Sequence, residues 1–139
     1  MTTKHDPSKS QHIQIRVYYE DTDAAGVVYY ANYLKFAERG RMEFLRPFGY
    51  SHHQTRVDHN LFLAVRHVDI DYLSPAKLDD LLDIDTSVSE CKNSSLTMRQ
   101  VIRRGDTVLV EASVVIVAVG ANSGRAVRIP PQLRQIFKQ

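Results

Sequence analysis

Cysteine is nearly missing from this chain, tryptophan is missing altogether, and no apolar run approaches the length of a membrane span. The lone Cys91 excludes an internal disulfide and a zinc site built from cysteines, and it suits a reducing compartment. The longest strongly apolar stretch, Val114 to Val119, is far short of the roughly 20 residues that cross a bilayer. Met1 to Ser10 are polar and lack the apolar stretch of an export signal, so a cytoplasmic protein without a membrane span is expected. Charge is also sparse in sign: the formal net charge is +2, too weak for a nucleic-acid-binding surface, although a mildly basic surface tolerates a small polyanion. With 139 residues, 43% of them hydrophobic, one globular domain is expected. The polar residues 1–11 read as a flexible tail and 12–139 as the domain.

What is present is patterned. Ile13, Ile15, Val17 and Tyr19 alternate with Gln14, Arg16, Tyr18 and Glu20, the period of a half-buried strand running to Glu20. Tyr33, Phe36, Ala37, Gly40 and Phe44 then recur at helical spacing, with Lys35, Glu38, Arg39 and Arg46 opposite, which predicts one long helix from Tyr30 or Ala31 to Arg46. Pro47 and Gly49 end it, and Gly40 within the apolar stripe predicts a close backbone approach to a sheet. Four further strands are predicted over Leu61–Tyr72, Leu81–Glu90, Leu96–Arg103 and Thr107–Gly120, separated by Ser74-Pro75, Asn93-Ser94 and Gly105-Asp106. The apolar set of the first of these switches phase near Arg66 and His67, which predicts a bulge. A short helix over Pro131–Phe137 closes the pattern. One helix followed by a mostly antiparallel sheet is an α+β layout whose exposed sheet edges favour a homo-oligomer.

The segment from Val17 to Leu45 carries the chemistry. Glu20, Asp21 and Asp23 sit where a strand gives way to a helix, so a carboxylate can be aimed across a helix amino terminus whose free N–H groups stabilise negative charge. Hydrolysis of an activated acyl group at neutral pH needs such a pair: a nucleophile or base, for which Asp23 is the candidate, and donors for the developing oxyanion, for which the N–H groups around Tyr29 to Ala31 are candidates. An ordinary capping or turn role for Asp23 is the competing reading.

Val17-Tyr18-Tyr19-Glu20-Asp21-Thr22-Asp23, Gly26-Val27-Val28-Tyr29, Asn32-Tyr33-Leu34, Glu38-Arg39 and Tyr72-Leu73-Ser74-Pro75-Ala76 together resemble the 4-hydroxybenzoyl-CoA thioesterase-like hotdog proteins. Within them, the likeness is to the bacterial acyl-CoA thioesterases associated with the Tol-Pal cluster, and it covers His12 to Lys138 loosely. The resemblance implies a hotdog fold, in which one long central helix is wrapped by a five-stranded antiparallel sheet, with subunits paired into a continuous sheet and often assembled as a dimer of dimers. It implies an acyl-CoA substrate, hydrolysed at a subunit interface without a cofactor. It also implies that Asp23 is the catalytic carboxylate, that the Tyr30 N–H polarises the thioester carbonyl and that Tyr19 belongs to the site. The Tol-Pal-type proteins carry histidine where this chain has Tyr30. A backbone donor survives that exchange, whereas the acid–base contribution of a histidine does not.

Other residues are weighed against plainer roles. Tyr29, Tyr30 and Tyr33 suit the walls of an acyl or aryl pocket. Asn32 is a binding candidate that also suits a local cap, and Tyr19, on the apolar face of its predicted strand, also suits the core. By loose family position, Arg66, Lys92, Asn93 and Ser94 are candidates for the coenzyme A phosphates, although each also reads as ordinary surface. Glu38, opposite the apolar stripe, reads as a surface ion-pair partner of Arg41 or Lys35. His52, His53 and His59 read as a solvated loop, and neither they nor Asp79, Asp80, Asp83 and Asp85 have the spacing of a metal site. A noncatalytic acyl-thioester binding or scaffolding protein, linked to the Tol-Pal envelope system, is the alternative to an enzyme.

Overall fold

A computed structural model describes residues 10–138. Five strands, β1 (Ser10–Arg16), β2 (Leu61–Tyr72), β3 (Leu81–Cys91), β4 (Ser95–Arg104) and β5 (Thr107–Gly120), form one antiparallel sheet in the order β1-β3-β4-β5-β2. Three helices accompany it: α1 (Asn32–Phe44), α2 (His52–His59) and α3 (Pro131–Phe137). The expected α+β architecture is present. The expected bulge is present too, as a register shift between Val65 and His67 where β2 crosses β5.

Helix α1 lies on the sheet through Tyr33, Phe36, Ala37, Gly40 and Phe44, all buried. The apolar core divides into two clusters along its length. One gathers around Phe36 with Leu82, Ile84, Ile102 and Leu109, and the other around Phe44 with Met98, Val114, Ile116 and Phe137. Between them sits a short polar network. The Gln100 side chain, 1% exposed, donates through Nε2 to the Ala37 carbonyl (2.7 Å) and to Thr86 Oγ1 (2.9 Å) and accepts at Oε1 from Arg41 Nη1 (3.0 Å). Each polar atom of the buried Gln100 amide has a partner, so the amide holds the helix at one height and rotation instead of costing the desolvation of an unpaired group.

Four expectations need correction. The first strand ends at Arg16, not Glu20, because residues 19–21 form a 3-10 turn in which Asp21 Oδ2 accepts the Tyr18 N–H (2.8 Å) and Thr22 Oγ1 donates to the Tyr19 carbonyl (2.9 Å). Side chains that bond their own backbone compete directly with a strand ladder. The strand begins at Ser10, so Ser10 and Gln11 belong to the sheet and not to a tail, and residues 1–9 lie outside the described residues. The long helix stops at Phe44, and Pro47 sits in a separate 3-10 turn, Arg46–Phe48. The histidine-rich stretch is helix α2, not a loop: Ser51 caps it by accepting the Gln54 N–H (3.0 Å), and Asn60, left-handed at φ 52°, ends it.

Gly40 shows how closely α1 meets the sheet. A Cβ there would stand 2.8 Å from Ile84 Cγ2 and from Thr86 Oγ1, and 3.0 Å from Gln100 Nε2. Alanine in a helix is intrinsically favoured over glycine by about 1 kcal/mol, but overpacking a buried contact costs about 1–3 kcal/mol. Ile84 and Thr86 are fully buried and stiff at χ1, so the clash wins. Gly40→Ala should therefore lower the unfolding free energy by up to about 2 kcal/mol net, measured by urea unfolding. A more stable variant would contradict the packing described.

Candidate active site

The residues between β1 and α1 form a small hairpin. Thr22 bridges Val28, the Asp23 N–H donates to the Val27 carbonyl (2.9 Å), and the Gly26 N–H returns to the Asp23 carbonyl (3.0 Å). Gly26 has φ 80°, a conformation that glycine adopts without strain, so the turn closes over Ala24-Ala25. Asp23 Oδ1 accepts the Ala25 N–H (2.9 Å), a local Asx bond, while its side chain is exposed and Oδ2 has no partner among the described residues. The turn role weighed for Asp23 is thus real, and it leaves one carboxylate oxygen open.

The hairpin is fixed to the start of α1 through a single acceptor. The Asp21 carbonyl accepts both the Tyr29 N–H (3.0 Å) and Asn32 Nδ2 (2.9 Å). Asn32 therefore acts as a local tie. Just beyond, the Asn32 N–H donates to the Tyr29 carbonyl (2.8 Å) and the Leu34 N–H to the Ala31 carbonyl (3.2 Å). The N–H groups of Tyr30 and Ala31 have no acceptor among the described residues. Two adjacent donors at a helix start are the arrangement that stabilises an oxyanion.

Beside them opens a cavity of about 260 Å³, lined by Val28, Tyr30, Tyr33, Tyr72, Leu73 and the Ser74-Pro75 turn. The Tyr30 ring meets Tyr72 edge-on at 6.2 Å, Tyr33 lies 5.6 Å from Tyr72, and Tyr29 lies 4.8 Å from Tyr30. Tyr33 is a wall whose polar end is already used: its buried hydroxyl accepts the Ala76 N–H at 3.0 Å, and burial raises its pKa. The neighbouring Tyr30 hydroxyl raises the Tyr29 pKa. Tyr72, Leu73, Ser74 and Pro75 were not singled out as pocket residues from sequence. The available signal was an aromatic and an aliphatic residue directly before a Ser-Pro turn.

The remaining candidates separate. Tyr19 is 82% exposed in the 3-10 turn, so a place on the apolar face of a strand is corrected. Arg66 is exposed at the β2 bulge, about 20 Å along the strand from Tyr72, six residues at roughly 3.3 Å each. Lys92, Asn93 and Ser94 form the turn between β3 and β4, where the Asn93 and Ser94 carbonyls accept the Ile129 and Ala118 N–H groups, both at 2.8 Å. They are not lining residues of the tyrosine cavity. Glu38 makes no ion pair within 4 Å among the described residues, so its expected partnership with Arg41 or Lys35 is not formed. Among those residues, too, no group of three or more His, Cys, Asp or Glu side chains is placed to hold a metal.

Residues 17–137 match the thioesterase-like superfamily. The chain belongs to that superfamily. It is 40% identical over 123 residues to the acyl-CoA thioesterase YbgC of Haemophilus influenzae, covering 88% of this chain and 90% of that protein. A probable thioesterase from Bartonella henselae superposes with a TM-score of 0.83 at 41% identity, covering 87% of this chain and 99% of the other. A 4-hydroxybenzoyl CoA thioesterase crystallised with 4-hydroxybenzoyl CoA gives a TM-score of 0.86 at 22% identity, over 93% and 99% of the two chains, a likeness of fold. The sheet and helices of this superfamily member are thus a hotdog-type α+β arrangement.

One ion pair holds the cavity wall. Arg104 Nη1 donates to Asp80 Oδ2 (2.9 Å) and to the Pro75 carbonyl (3.4 Å), while Asp80 also accepts the Lys77 N–H (2.8 Å). Burial alone would raise the Asp80 pKa, but the Lys77 N–H and the Arg104 guanidinium outweigh it and hold it below the ordinary carboxylate value. A depressed carboxylate contributes stability that is present above its unfolded pKa, about 4, and is lost as pH falls through the folded value. Asp80→Asn should therefore destabilise the fold at pH 7 and flatten the loss of stability below about pH 4. Urea unfolding across a pH series measures both, and an unchanged acid limb would remove Asp80 from this role.

Proposed function

We propose that this protein hydrolyses acyl-CoA thioesters to a carboxylic acid and free coenzyme A, with Asp23 as the catalytic carboxylate and the Tyr30 N–H, with Ala31 beside it, as oxyanion donor. The observation that carries the reading is the pair of N–H groups at the start of α1 that have no acceptor among the described residues, next to a tyrosine-lined cavity and tied to the hairpin that holds Asp23. The 40% identity to an acyl-CoA thioesterase supports the same class of reaction.

The chemistry follows from those parts. The thioester carbonyl oxygen accepts from the two N–H groups, which strengthen their hold as charge develops on it. Asp23 either attacks the carbonyl, giving an anhydride that water then opens, or takes a proton from the attacking water. In both routes the C–S bond breaks, coenzyme A leaves as the thiolate and is protonated, and the acid leaves as its carboxylate. Tyr30 supplies no imidazole, so this site relies on the carboxylate and the backbone donors. Tyr29, Tyr30, Tyr33 and Tyr72 are assigned to the acyl or aryl group, and Arg66, Lys92, Asn93 and Ser94 to the phosphates of coenzyme A.

Two copies are part of the proposal. β2 is an edge strand of 12 residues, and Phe62, Val65, Tyr72 and Leu73 on or beside it are exposed. A long, apolar, unpaired edge is covered when a second copy adds its own β2, which extends the sheet across both subunits. A lone cysteine suits a reducing compartment, which supports assigning the proposed dimer to the cytoplasm.

Asp23→Asn should lower kcat by about a hundredfold or more against a graded acyl-CoA series, read by thiol release, with unchanged circular dichroism. Wild-type turnover in that variant would end the assignment of Asp23. Acyl-CoA binding without any thiol release by the unaltered chain would instead favour the noncatalytic reading.

A further inference from the structure

A second cavity, separate in its lining from the tyrosine pocket, lies between α1, the start of α2 and the first half of β2. Its volume is about 210 Å³, and its lining combines Glu38, Arg41 and His52 with Met42, Leu63, Val65 and Ile116. Arg41 is the uncommon part. Its guanidinium is partly buried and spends one N–H on Gln100 Oε1 (3.0 Å), yet among the described residues no carboxylate comes within ion-pair distance. Burial lowers its pKa, and the attraction of Glu38, one turn earlier on α1 and itself exposed, is the smaller influence. His52 is also desolvated: burial lowers its pKa, against the opposing influence of the Arg41 backbone, with Arg41, Arg46 and Glu38 the charges acting on it. A partly buried cation is ordinarily paired. Here its charge is offered to a space with apolar walls.

We propose that this cavity binds a carboxylate carried on a short apolar body, with Arg41 pairing the anion, His52 giving a second polar contact and Met42, Leu63, Val65 and Ile116 enclosing the carbons. A guanidinium presents donors in a planar fork that matches the two oxygens of a carboxylate. A phosphate, carrying more charge, is a poorer match, since Glu38 opposes it at the same lining and nothing in the walls but Arg41 and His52 is basic. The volume is below the roughly 300–1,000 Å³ of sites for drug-sized ligands, which keeps the body to a few carbons. Its place in the protein's chemistry rests on the hydrolysis proposed above: the ligand is either the acid released by that reaction or the far carboxylate of a dicarboxylic acyl-CoA.

Hexanoate and the neutral hexan-1-ol, titrated into the full chain and followed by the His52 ring resonances, test the pocket directly. Hexanoate should bind at least about tenfold more tightly than hexanol, and Arg41→Gln should remove about that advantage, the size expected for one charge-assisted hydrogen bond. Glu38→Gln should tighten hexanoate binding severalfold. Because Arg41 also holds Gln100, Leu63→Phe is measured in parallel: it fills the cavity, leaves both charges in place and should abolish binding. Equal affinity for acid and alcohol, or hexanoate binding unchanged in Arg41→Gln or Leu63→Phe, overturns the proposal. Turnover of adipoyl-CoA and hexanoyl-CoA separates the two sources. A KM rise in Arg41→Gln confined to adipoyl-CoA assigns the pocket to the substrate's far end, and an unchanged preference alongside lost hexanoate binding assigns it to the free acid. Failure of the unaltered chain to hydrolyse any member of the graded acyl-CoA series, with hexanoate binding intact, refutes the thioesterase reading and leaves the carboxylate site standing.

Discussion

The rest of the structure depends on how closely α1 approaches the sheet at Gly40. Where the helix has no side chain, Ile84, Thr86 and Gln100 come near enough to its backbone for Gln100 to donate to the Ala37 carbonyl. Apolar packing alone would tolerate some sliding, because it is not directional. A buried amide is not so tolerant: moving α1 along its axis would break the Gln100 bonds to the Ala37 carbonyl and to Arg41 together and leave polar groups without partners. The two apolar clusters then fall into place on either side, around Phe36 toward the amino end and around Phe44 toward the carboxyl end.

Fixing the helix in this way also fixes both sites. Its amino end carries the Tyr30 and Ala31 donors to the cavity walled by Tyr72 and Pro75, and Arg41, one residue after Gly40, is held at the other cavity by the same Gln100 that clamps the helix. The hairpin bearing Asp23 is secured separately. The Asp21 carbonyl ties it to the helix start, and the Val28 N–H, donating to the Ala76 carbonyl (2.9 Å), ties it to the segment after β2. The Tyr33 hydroxyl completes the joint by accepting the Ala76 N–H, so one buried residue, Ala76, engages both the hairpin and the helix. A carboxylate on an exposed turn gains its positional precision from these joints and not from its own packing.

Most of the fold could be read from the chain, for reasons that differ by element. β2, β5 and α3 have the ends that the residue pattern predicts, because their apolar periodicity runs unbroken between strong turn signals. The phase change at Arg66 and His67 reported the bulge, since a period-two pattern cannot slip without an extra residue. Tyr19 misled because its alternation continues that of β1, while the decisive interactions are side-chain to backbone bonds of Asp21 and Thr22, which periodicity does not register. Helix α2 has a weak apolar stripe, with Thr55 as its buried residue, so its start was written mainly in the Ser51 cap. The site was legible as a type of turn next to a helix start. Its wall was not, because Tyr72 and Leu73 reach Tyr30 across a chain separation that only the folded sheet closes.

The exposure of that wall bears on what the protomer is. Tyr30 is 61% exposed and Leu73 56%, so the cavity they line is open to solvent, and Tyr72, another of its walls, is the last residue of the edge strand β2. Water reaching a thioester weakens every electrostatic contribution from the N–H donors, because the same dipoles act through a higher dielectric. An oxyanion site therefore works best when something excludes solvent from it. Tyr72 belongs both to the edge strand and to the cavity wall, so the second copy proposed above, added along β2, would satisfy the edge's backbone groups and bring a surface up to the end of the strand where the cavity lies. On the reading proposed above, assembly is not an accessory to the fold: the protomer carries the proposed carboxylate and donors, and a second copy would supply the enclosure that they lack.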